Sequence, residues 1–134
     1  MDDTLYSTLL AIHLTTVLIA CPIGAWLLLN TKGTTAHRWL GRPYMALMTI
    51  TAIASLMMPA FVGPKLFNHF GFIHLFSLLV LWTVPTSILA IKRGDVRAHR
   101  SGMIGMYCGA ILVAGAFAFM PGRLMHNVLM TAIS

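Results

Sequence analysis

The sequence predicts an all-α integral membrane protein, a four-helix bundle built from two repeated helical hairpins with both termini outside. Three observations predict it: an extreme composition, four long apolar runs, and an internal repeat that pairs those runs. Of 134 residues, 58% are apolar or aromatic, only 9% are charged, and the mean hydropathy is +0.84. A soluble domain of this size carries about a quarter charged residues, so this chain lacks the polar surface to cover a water-soluble globule. A soluble enzyme, a nucleic-acid-binding domain, a disulfide scaffold and a disordered tail are excluded on this ground. The apolar runs are unbroken over about twenty residues, which also excludes the alternating strands of an outer-membrane barrel. The length allows one domain, residues 1–134, with repeat 1 at about 5–62 and repeat 2 at about 66–120.

The first run is Leu5–Leu29. Like the other three, it is long enough to cross a hydrocarbon core about 30 Å thick at 1.5 Å per residue. It is no signal peptide, since the chain opens Met1-Asp2-Asp3 and has no cationic start. Leu18-Ile19-Ala20-Cys21 mimics a lipoprotein cleavage box, but the run continues through Leu29, which keeps Cys21 inside a retained helix. A connection holding Lys32, Arg38 and Arg42 leads into the second run, Arg38–Val62, with Thr34 as its expected N-cap. Lys65 lies in the next connection, before the third run, Phe70–Ile91. Lys92, Arg93, Arg97 and Arg100 then precede the fourth run, Ser101–Met120, with Asp95 as expected cap. Arg123 falls in the C-terminal tail.

Seven of the nine Lys and Arg residues thus sit in the first and third connections. By the positive-inside rule these connections are cytoplasmic, and both termini of this multi-pass chain lie outside. The net charge of +6 orients the chain in the bilayer and implies no nucleic-acid partner. The only cysteines, Cys21 and Cys108, lie within apolar runs without CxxC spacing and read as small packing residues.

Ile12-His13-Leu14 recurs as Ile73-His74-Leu75, and Ala36-His37-Arg38 recurs as Ala98-His99-Arg100, at offsets of 61 and 62 residues. Each half therefore carries one histidine near the outer end of its first helix and one at the inner end of its second. Sixteen residues from His13 to Leu29 and seventeen from His74 to Ile91 correspond to about 24 and 25 Å of helix. The four histidines form two expected layers, His13 with His74 outside and His37 with His99 toward the cytoplasm.

An ionisable residue inside a span is costly and is a functional hypothesis by default. Facing imidazoles on different helices suit a metal centre in a bundle. A haem b iron takes one axial nitrogen from each side of the porphyrin, so each layer is a candidate bis-histidine site, for one or two haems in all. Arg38, Arg42, Arg97 and Arg100 surround the inner layer and are candidate propionate partners. Gly105 and Gly109, followed by Ala110, Ala114 and Ala118 at fourfold spacing, would let helices close on each other or on a flat cofactor.

Plainer roles stand beside these. His13 and His74 would hydrogen-bond a neighbouring helix; His37 and His99 would meet lipid phosphate or a helix end. The small-residue stripe would be packing, as would the ten methionines, which place no Met-x-x-Met cluster for copper at a helix mouth. His69 and His126 read as surface residues. Zinc lacks a third ligand near either layer. The only acids are Asp2, Asp3 and Asp95, which argues against proton-coupled transport and hydrolytic chemistry.

Two resemblances attach to these residues. Ala36-His37-Arg38-Trp39-Leu40-Gly41-Arg42-Pro43-Tyr44 resembles the bacterial membrane family DUF2306, as do Arg93-Gly94-Asp95-Val96-Arg97-Ala98-His99-Arg100 with Met103 and Tyr107, and Pro121-Gly122-Arg123. That resemblance spans nearly the whole chain and implies a four-helix membrane fold without implying a reaction. The architecture is also similar to that of cytochrome b561-like di-haem proteins. Their ligands pair between the first and third core helices and between the second and fourth, as His13 with His74 and His37 with His99 would. This second resemblance implies a membrane b-type cytochrome, a haem-dependent oxidoreductase drawing electrons from a quinol or a redox partner protein. The alternative is a non-catalytic accessory or assembly subunit of a larger membrane complex, or a homo-oligomer, because the short termini and loops leave no soluble domain to bind substrate. A small transporter is the least favoured, since the runs lack buried acids and Pro22, Pro59 and Pro85 would only kink them.

Overall fold

A computed structural model describes residues 2–60, 65–67 and 69–134. The expected end of the second run and of repeat 1, at Val62, lies outside the described residues. Helix α1 (Asp3–Leu29) follows from an uninterrupted apolar stretch in which Pro22 is accommodated internally. It ends at Asn30, whose backbone N–H and side-chain amide both donate to the Trp26 carbonyl at 3.0 Å. The Lys32 ammonium adds bonds to the Leu28 carbonyl and, at 2.6 Å, to that of Asn30. A cation thereby satisfies the carbonyls that a helix end leaves open. Gly33, at φ +78, turns the chain into helix α2 (Thr35–Met57). The cap expected there forms, with the Thr34 hydroxyl accepting the His37 N–H at 3.1 Å.

After α2 comes a short antiparallel pair, β1 (Lys65–Leu66) and β2 (Phe70–Gly71). The third helix, α3 (His74–Lys92), therefore begins four residues later than the expected Phe70. Strand pairing claims Phe70 and Gly71 first. The second expected cap also forms, Asp95 Oδ1 accepting the Ala98 N–H at 2.9 Å at the start of α4 (Val96–Met106). This helix passes into a π-helical segment, Tyr107–Val113, and then into α5 (Ala114–Ala118). Beyond them, where the sequence suggests only a tail, residues 124–133 form helix α6 (Leu124–Ile133).

Asp3–Leu29, His74–Lys92 and the continuous run Val96–Ala118 are each long and apolar enough to cross a membrane. Helix α2 matches them in length but starts with Arg38 and Arg42 in its first turns. The helices pack in chain order, α1 on α2, α2 on α3 and α3 on α4. Ala20, Leu27, Tyr44, Met48, Val80 and Met106 form the centre of the core. Gly24 lets both aromatic rings reach it, since a Cβ there would lie 2.7 Å from atoms of Tyr44 and of Tyr107. Gly109 packs against Leu79, whereas Gly105 meets nothing within 4 Å. Only half of the expected GxxxG pair is thus a close contact. Leu18, Leu29, Trp39 and Trp82 stand outward, as lipid-facing residues do.

Candidate functional site

His13 lies ten residues inside α1, and its Nδ1–H donates to the Thr51 carbonyl across the α1–α2 interface at 3.1 Å. That bond sets the tautomer of the neutral ring and leaves Nε2 as an acceptor. The Thr16 hydroxyl donates to the Ile12 carbonyl at 2.7 Å and accepts from the Thr51 hydroxyl at 2.6 Å. Thr51 therefore ties α2 to α1 through both its backbone and its side chain.

His74 is 3% exposed at the first turn of α3. Its Nε2–H donates to the Met58 carbonyl at 2.9 Å, and its Nδ1 accepts the Gly71 N–H at 2.9 Å. Both nitrogens are committed to backbone groups. His69, expected at the surface, is half-buried: its Nε2–H donates to the Leu56 carbonyl at 3.0 Å and its ring lies 5.8 Å from that of His74. The two imidazoles fasten the strand pair to the end of α2, whose last carbonyls have no helical partner.

At the other end, the Nδ1–H of His99 donates to the Ser87 carbonyl at 3.1 Å, joining α4 to α3. His37 is half-buried in the first turn of α2, ahead of the apolar run. Its pKa is lowered, first by burial and then by its neighbours His99 and Lys32. Its Nδ1 is buried without a hydrogen-bond partner among the described residues. Arg38, Arg42 and Arg100 are all exposed at this basic end.

The haem expectation is corrected by this geometry. Among the described residues, no three His, Cys, Asp or Glu side chains come together as a metal-holding group. Of the four expected axial ligands only His74 is buried, and neither of its nitrogens has a lone pair free for iron. The residues do not fit haem b in either layer. The physical reason is local: imidazoles in a helical membrane protein first satisfy backbone carbonyls that have no other donor.

What does lie between His13 and His74 is a cleft of about 600 Å³. Its floor, toward the core, is formed by Cys21, Met48, Val80 and Ile111. Its wall on the fourth run is the stripe Ala110, Ala114, Gly115 and Ala118. Helix α5 continues the π-helical segment, and α1 meets the fourth run chiefly through that segment. The cleft lies beside α5, lined there by Ala114, Gly115 and Ala118. Leu18 lines the cleft and is still 69% exposed, which marks the open side. The polar lining groups include Tyr6, His13, Thr51, Ser55, His74 and Ser77, with Arg123 at the mouth.

Sequence reasoning missed Ser55, Ser77, Arg123 and the floor. The one available signal was the fourfold alanine spacing, which marks small side chains but not whether a helix or a space lies against them. It also missed the buried cluster below the floor. There the Tyr107 hydroxyl donates to the Cys21 carbonyl at 3.2 Å, and the Tyr44 hydroxyl has no partner among the described residues.

The chain matches the family DUF2306, described as a predicted membrane protein, over residues 10–133. No curated protein and no solved structure matches it.

Proposed function

Given that this chain belongs to the DUF2306 family of predicted membrane proteins, we propose that it is a non-catalytic membrane binding protein that takes a lipid-soluble molecule from the bilayer into the cleft. The observation that carries this reading is the cleft itself, apolar, about 600 Å³, and open beside α5. Binding sites for small molecules are typically concavities of roughly 300–1,000 Å³ with a few convergent polar groups. A side opening within a spanning segment admits ligands already dissolved in lipid. The accessory role weighed from the sequence is retained, while electron transfer loses its expected carrier with the haem.

In this reading all four helical runs cross a bacterial inner membrane as one four-helix bundle. The basic end is cytoplasmic, and the cleft mouth and both termini are periplasmic. The clustering of Lys32, Arg38, Arg42, Arg93, Arg97 and Arg100 at one end supports that orientation. A membrane-impermeant thiol reagent would then label Ser134→Cys in spheroplasts and Gly94→Cys only after lysis; the reverse pattern inverts the topology.

The binding reading is tested by extracting the purified full chain with organic solvent and identifying what it carries by mass spectrometry. Wild type should retain a lipophile, a quinone or a phospholipid among the outcomes, in near-stoichiometric amount. Ala114→Leu should reduce it severalfold while helicity and elution stay unchanged. Gly115→Leu is a second filling variant, since a Cβ there would meet nothing within 4 Å. Equal retention by wild type and both well-folded variants would end the proposal.

A further inference from the structure

The cleft is not uniformly apolar along its depth. At its floor are Cys21, Met48, Val80 and Ile111, near the middle of the helices. One level up, the lining includes His13, Thr51 and Ser77. At the mouth, beside the terminal end of the helices, is Arg123. A polar band therefore lies above an apolar floor, and at the mouth Arg123 is a lone charge among Leu10, Ile73, Phe119 and Met125.

Two polar groups of this lining lack protein partners. Ser77 is only 5% exposed, lines the cleft, and its hydroxyl makes no hydrogen bond among the described residues. The oxygen is not sealed from the cleft, so an acceptor on a ligand there can take the O–H donor that the protein leaves unused. Arg123, half-buried at the mouth, has no acidic partner among the described residues. The chain's only acids are Asp2, Asp3 and Asp95, so no carboxylate is available elsewhere to replace one.

Resting on the binding reading above, we propose that the occupant is an anionic phospholipid of the leaflet at the terminal end of the helices. One acyl chain lies on the apolar floor, the ester region meets Ser77, and the phosphate meets Arg123. A lipid in that leaflet already holds its tail toward the mid-plane and its head at the interface. It would enter beside α5 without inverting, and the cleft reproduces the polarity profile it leaves. A guanidinium at headgroup depth offers a phosphate two parallel N–H donors, which a neutral ring ketone or a bare hydrocarbon cannot use as fully. A negatively charged head is favoured over one whose own ammonium competes for the phosphate.

The test is native mass spectrometry of the delipidated full chain in mixed micelles holding equal phosphatidylglycerol and phosphatidylcholine. Wild type should retain phosphatidylglycerol over phosphatidylcholine by about fivefold, the scale of one exposed charge-assisted contact. Arg123→Gln should bring that ratio close to one while total retained lipid persists, and Arg123→Lys should restore part of the preference. Lys92→Gln, at the opposite end of the helices, should leave the ratio unchanged. Equal retention of the two lipids by wild type would overturn the headgroup assignment and leave the binding reading standing. A ratio that falls as far with Lys92→Gln as with Arg123→Gln would also overturn it, by placing the lipid on the basic end. No retention of either lipid, together with no co-extracted lipophile, would remove the binding reading itself.

Discussion

The Nε2–H of His74 donates to the carbonyl oxygen of Met58 at 2.9 Å, while Nδ1 of the same ring accepts the N–H of Gly71. One imidazole thus ends α2, begins α3 and holds the strand pair between them. It occupies the position where a metal ligand was expected, and it is fully employed as a bridge between backbone groups. In a membrane the alternative for those groups is an unsatisfied dipole, because no water competes for them.

His74→Ala should therefore act on stability. It leaves the Met58 carbonyl and the Gly71 N–H without their partner, at a cost of about 1–3 kcal/mol for each group left unsatisfied. A clear fall in the unfolding midpoint in detergent is expected, against a negligible change for His126→Ala. An unchanged midpoint would refute the bridging role.

Gly24 supports a different contact, the approach of Tyr44 and Tyr107 to α1. A methyl group at Gly24 would stand 2.7 Å from both rings, closer than carbon atoms pack, so Gly24→Ala should destabilise by about 1–3 kcal/mol through forced displacement of the rings. Gly105→Ala meets open space and adds helix propensity, so it should be neutral or slightly stabilising. Thermal unfolding of the two variants side by side checks this; equal effects would refute the packing assignment.

The two caps at the basic end offer a third measurement. Thr34→Ala and Asp95→Ala each remove one side-chain acceptor from a helix start and should cost roughly 1 kcal/mol apiece. Their partners differ and they lie on separate turns, so the double variant should cost close to the sum of the two. A strongly non-additive double variant would show that the turns are coupled in a way these contacts do not explain.

How far the sequence could be read depended on how local each feature was. Thr34 and Asp95 were legible because a cap and its acceptor bond lie three residues apart, within one turn. The expected start of the third span at Phe70 was not, since pairing with Leu66 across the strand turn competed with helix formation there. For His13 and His74 a metal role was expected beside a plainer one, a hydrogen bond to a neighbouring helix, and hydrogen bonds are what the structure holds. His13 finds its acceptor 38 residues away and His74 finds one 16 residues away, both backbone carbonyls, which no side-chain motif announces. Ala110, Ala114 and Ala118 were visible as a small-residue stripe; that a space lies against them was decided by where the other helices stand.

The amino-acid sequence by itself settled that this chain lives in a membrane, because transfer of each apolar run out of water is a sum over consecutive residues. It settled the caps for the same reason, as interactions within one turn. Only the tertiary structure decided which carbonyl each imidazole meets and where α1 and the fourth run part to open the cleft. Both depend on the relative placement of distant helices, and that placement is set by Gly24, Thr51 and the Tyr44–Tyr107 pair acting together across three of them.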